Sequence, residues 1–143
     1  MVGIIFSIIA GIFISFQGVF NTRVSEKIGL WETNTIVMGS GFFIAKLLML
    51  IFGNGSFENF GEINKLYLLG GALGVAIVFC VMKGISLLGT TYAIAIIIIT
   101  QLIMCSVIDT LGLFENIPIK FDFTKPLGVA IMIFGLIIFK LRG

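Results

Sequence analysis

Five long apolar stretches, separated by short polar ones, constrain this chain more than any other feature. A helix needs about 20 mainly apolar residues to cross a bilayer, and residues 2–21, 33–53, 66–84 and 90–114 each supply about that many. Trp31 and Tyr67 stand at the heads of the second and third stretches, where interfacial aromatics belong. The fourth contains "AIAIIIITQLIMCSVI", and the third reaches it through a very short turn, "SLLGT". The fifth, residues 126–142, is the shortest. Its apolar part ends at Phe139, and Lys140 and Arg142 must snorkel to the far interface to complete a crossing. Pro126 suits a first helical position.

Composition agrees with this reading. Charged residues make up 11% of the 143-residue chain and hydrophobic ones 59%, whereas a soluble domain is about 25% charged. So little charge cannot clothe a water-facing surface. The expected fold is all-α: a polytopic membrane bundle of five transmembrane helices forming a single domain over residues 1–143. The apolar run starting at Val2 has no basic segment before it and no small-residue cleavage site after it, so it reads as a retained first helix.

Several functions are excluded or disfavoured by what is missing. The chain has no histidine, so imidazole can neither relay protons nor bind metal. Cys80 and Cys105 both fall inside apolar runs and read as small buried hydrophobes rather than ligands. The net charge of +2 gives no reason to expect nucleic acid. No nucleophile–base pair, metal cluster or phosphate loop is present, so the sequence predicts no enzyme, no metal and no cofactor.

Five crossings place the termini on opposite sides. The side of the first loop, face A, carries Arg23, Lys27, Lys83, Lys140 and Arg142; the other, face B, carries Lys65, Lys120 and Lys125. The richer face is cytoplasmic by the positive-inside rule, which puts the N-terminus outside. A margin this thin also allows insertion both ways, or pairing with an oppositely inserted partner.

Five polar groups fall at membrane depth. Gln17 and Asn21, four residues apart in "GIFISFQGVFN", share a face of the first helix. Gln101 sits near the middle of the fourth, and Asp109 lies two turns further on, on nearly the same face. Lys46 is near the middle of the second. A charged group inside a span costs about 2.5–3.5 kcal/mol on insertion scales and usually faces a cavity or a partner. At 1.5 Å per residue, Lys46 and Asp109 both lie roughly 8–10 Å below face B, so an ion pair within a subunit or across a dimer is geometrically allowed. For the three amides, residue type leaves two readings open: glue between helices, or the lining of a path. The glycines point to close packing. Gly70 and Gly74 have the spacing that lets helix backbones approach, and Gly11, Gly18 and Gly39 supply small residues on the first two helices.

The segments "FQGVFNTRVSEKIG", "LLGGALGVAIVF", "IIITQLIMCSVIDTLGLFENIP" and "PLGVAIMIFGLIIF" together resemble the YdcZ-like family, small members of the drug/metabolite transporter superfamily. Gln17, Gly18, Asn21, Gln101, Asp109 and Gly112 match its pattern position by position, and Lys46 lies outside it. The resemblance implies a half-size small-solute transporter in the bacterial inner (cytoplasmic) membrane. It implies an antiparallel dimer with inverted pseudo-symmetry, either a homodimer or a heterodimer with a paired homologue. Gln17, Asn21, Gln101 and Asp109 would then line a central path. Small multidrug members of the superfamily carry a titratable Glu near the place of Gln17; an amide cannot titrate, so any ion coupling would fall to Asp109. The competing expectation is a non-transporting assembly or scaffold subunit, in which the amides would serve only as glue.

Overall fold

The computed structural model describes residues 1–113 and 123–141, and every described regular element is helical. α1 spans Val2–Ile28, α2 Leu30–Phe52, α3 Gly70–Leu88, α4 Thr90–Leu111 and α5 Thr124–Leu141, with two 3₁₀ turns, Glu58–Glu62 and Lys65–Leu69, ahead of α3. All five α-helices are long and apolar enough to cross a membrane, α3 together with the turn before it. Lys120 and Arg142, used above in weighing the two faces, lie outside the described residues, as does Phe114, the expected end of the fourth span.

The polar stretch after residue 21 is helix rather than loop. α1 runs on through Arg23, Glu26 and Lys27 to Ile28. These residues are good helix formers, and Arg23 and Glu26 pair at 3.2 Å one turn apart on an exposed surface. Gly29 makes the break alone, with φ 102° and ψ 158°, a conformation L side chains rarely adopt. Its N–H donates to the Ser25 carbonyl at 3.0 Å, closing α1, and its own carbonyl accepts from the Thr33 N–H at 3.2 Å, opening α2. Gly89 repeats the device between α3 and α4 at φ 81°, with the Ala93 N–H donating to its carbonyl at 3.1 Å. α3 therefore passes through Gly84, where the apolar run was expected to end, and stops at Leu88.

Two other ends follow from local chemistry. α4 closes on Gly112 in the left-handed conformation, whose N–H returns to the Ile108 carbonyl. α5 admits Pro126 in its first turn, where the missing N–H has no helical partner to lose. Its 18 residues span about 27 Å, just short of the roughly 30 Å hydrocarbon layer. Lys125 and Lys140 sit near its two ends.

The chain divides into two compact units, Met1–Leu87 and Leu88–Gly143. In the first, α1 packs on α2, and α2 meets α3 through an Asn34 Nδ2–Val75 carbonyl hydrogen bond of 2.8 Å and a Trp31–Phe79 ring stack 4.6 Å between centroids. In the second, α4 packs on α5, and the Lys140 ammonium lies 4.8 Å over the Tyr92 ring. Among the described residues few apolar side chains are buried: Val78, Met82 and Ile85 in the first unit, Ala93 and Ile99 in the second. Large ones such as Phe6, Phe13, Phe43, Leu50 and Phe134 point outward. In water this arrangement would waste most of the hydrophobic driving force. In a bilayer the outward side chains meet hydrocarbon.

Candidate functional site

Gln17 and Asn21 project from α1 into one shallow hollow of about 440 Å³, walled by Phe13, Phe16 and Phe20. Gln17 is exposed and Asn21 half-buried. Neither amide forms a hydrogen bond with another described residue. Between them, Gly18 is buried, and Thr22 donates its hydroxyl proton to the Gly18 carbonyl at 2.7 Å. One face of this turn is therefore packed and internally satisfied, while the adjoining face offers two unpaired amides among aromatic rings.

α4 carries the other expected path residues. Gln101 is exposed and Asp109 half-buried. Beside Asp109, a hollow of about 360 Å³ opens between α4 and α5, bounded by Ser106, Thr110, Lys125, Pro126 and Val129. The Thr110 hydroxyl returns to the Ser106 carbonyl at 2.7 Å, and Lys125 forms part of the wall. Lys46 is exposed on α2. Gln17, Asn21 and Lys46 thus belong to the first unit, Gln101 and Asp109 to the second.

Of the glycines expected to serve packing, Gly74 faces the Met38 side chain across the α2–α3 contact, 3.9 Å from where a Cβ would stand. A Cβ at Gly11, Gly39 or Gly70 would meet nothing within 4 Å. Among the described residues, their small size leaves open surface rather than filling a contact.

Sequence reasoning passed over the most buried polar group of residues. Thr22, Thr33 and Asn34 are all closed to solvent around the α1–α2 junction, with Thr33 fully so. Thr33 donates to the Gly29 carbonyl at 2.7 Å. Asn34 is 2% exposed; its Nδ2 donates to Val75, but its Oδ1 has no donor. The available signal was spacing: Trp31, Asn34, Met38 and Phe42 recur at i, i+3, i+7 and i+11, a helical stripe that begins at Trp31, before the expected start of the second span. Asn34 and that stripe line a third hollow, of about 480 Å³, against α3.

Among the described residues no group of three or more His, Cys, Asp or Glu could hold a metal.

Comparison with known proteins gives one match that spans the chain. The model of the family described as "Putative inner membrane exporter, YdcZ" matches residues 2–138. No curated protein and no solved structure matches the chain.

Proposed function

The chain belongs to the YdcZ family of inner membrane exporters, and on that footing we propose that it moves a small solute by alternating access as an antiparallel dimer of half-size subunits. It is a multi-pass inner membrane protein of a transporter family rather than of an enzyme family.

The observation that carries the finer reading is the pair of unpaired amides, Gln17 and Asn21, in one aromatic-walled hollow. Polar groups in a bilayer must be satisfied by protein or water. Among the described residues these two find no partner, and that supports a reading in which they meet a solute, water or a second subunit. Amides acting only as glue within the subunit would already have partners. A second copy inserted upside down supplies both the missing partners and the pseudo-two-fold in the membrane plane on which alternating access runs. The open surface at Gly11, Gly39 and Gly70 lets helices of that second copy come close. In this reading Gln101 and Asp109 extend the path, and Asp109 of one subunit faces Lys46 of the other.

Reconstitution into proteoliposomes tests the proposal. Wild-type protein is expected to release an entrapped member of a small-metabolite library faster than empty vesicles do. A protein that moves no member of such a library, yet is needed for another membrane complex to assemble, would establish the scaffold role instead.

A further inference from the structure

We propose that the hollow between α2 and α3 is a binding site for a neutral solute that joins an aromatic or aliphatic body to a single N–H or O–H donor, and that Asn34 Oδ1 accepts that donor. This goes beyond the Gln17–Asn21 path, and it rests on the transport reading only in taking the occupant to be a solute.

Asn34 lines the hollow, is 2% exposed, and holds its Nδ2 on the Val75 carbonyl at 2.8 Å, while its Oδ1 is buried with no donor. A buried acceptor left unpaired is costly, and native structures seldom tolerate one without a water or ligand to fill it. The Asn terminal torsion is broad, so the amide can tilt to meet a donor that enters the hollow. The Thr35 hydroxyl, on the same wall, spends its proton on the Trp31 carbonyl at 2.9 Å and keeps only acceptor capacity. Asn34 and Thr35 therefore both have acceptors to offer.

The rest of the wall sets the ligand's body and charge. Trp31 and Phe42 present aromatic surface, Gly39 leaves room, and no residue of the wall is ionisable. A charged ligand would be desolvated here with no counter-charge, which is prohibitive. A neutral ring or short chain with one donor meets every feature.

Trp31 is the chain's one tryptophan and stands in the wall itself, so the site reports its own occupancy. The full chain in lipid nanodiscs is titrated with 4-nitrobenzyl alcohol, whose nitroarene quenches indole fluorescence, and with its methyl ether, which lacks the donor but partitions into lipid more strongly. The alcohol is expected to quench saturably, with a half-saturation concentration about tenfold below that of the ether. Asn34→Ala should reduce that preference to within about twofold. Gly39→Leu fills the hollow without touching Asn34, at a position where a Cβ meets nothing, and should abolish saturable quenching by both probes. Equal quenching by alcohol and ether in the wild type, quenching that rises linearly with lipid-dissolved probe, or saturable quenching that survives Gly39→Leu would overturn the proposal. Binding is read without transport, so failure of the export reading would leave this result unaffected, and the reverse holds as well.

Discussion

Asn34 and Gln17 carry the same amide chemistry in the same three-helix unit, and their surroundings are opposite. Asn34 is sealed between α2 and α3, pinned through its Nδ2 to the Val75 carbonyl. Gln17 stands open on α1 beside Asn21, bonded to no other described residue. The first amide helps to build the unit. The second has nothing to build within it, which is why the proposed function falls there. Asn34 keeps one partner among the described residues, through its Nδ2, with only its Oδ1 left to offer, whereas Gln17 has none.

The comparison can be broken at several points. The largest expected effect is on function alone. Gln17→Leu should slow transport of whichever solute the proteoliposome screen identifies by about tenfold or more, with an unchanged melting temperature, since no hydrogen bond to a described residue is lost. A melting temperature that falls along with transport would return Gln17 to a structural role. Next comes the junction. Gly29→Val forces a β-branched residue to φ 102° and drives its Cβ into the Glu32 carboxylate, which should cost about 1–3 kcal/mol of stability in a thermal or denaturant melt. Asn34→Ala removes the α2–α3 bond but also the orphaned acceptor, and the Val75 carbonyl keeps its helical partner. The same melt should register a loss of only about 1 kcal/mol. The smallest effect belongs to Gly41→Ala, also in α2. Its Cβ meets nothing among the described residues, so helix propensity alone acts, and stability should hold or rise by up to about 1 kcal/mol.

What the sequence made legible was whatever depends on neighbours along the chain. Five apolar runs read as five membrane-capable helices, and Gln17 and Asn21 read as one face of α1 because spacing alone decides that. The residues 22–32 did not read correctly, because charge there signals water, and a helix can continue into water. Only Gly29's backbone shows that one residue makes the whole turn. Thr33 and Asn34 were missed for a related reason. Their burial comes from contacts distant in sequence, with Val75 lying 41 positions from Asn34, and nothing near Asn34 in the chain announces the helix that will cover it.

The central claim is that two copies meet in opposite orientations with the Gln17 faces of α1 opposed, and disulfide crosslinking in native membranes tests it most directly. With Cys80 and Cys105 replaced by Ala, cysteines are placed at Phe13 or Phe20, on either side of Gln17 along the same hollow. A disulfide requires Cα atoms within about 7 Å, and these positions lie about 10 Å apart along the helix axis. The antiparallel dimer predicts that Phe13→Cys links to Phe20→Cys when the two variants are co-expressed, and that neither links efficiently to itself. Efficient linking only between matching positions would show a parallel pair, and no linking in any combination would remove α1 from the interface; either result contradicts the account.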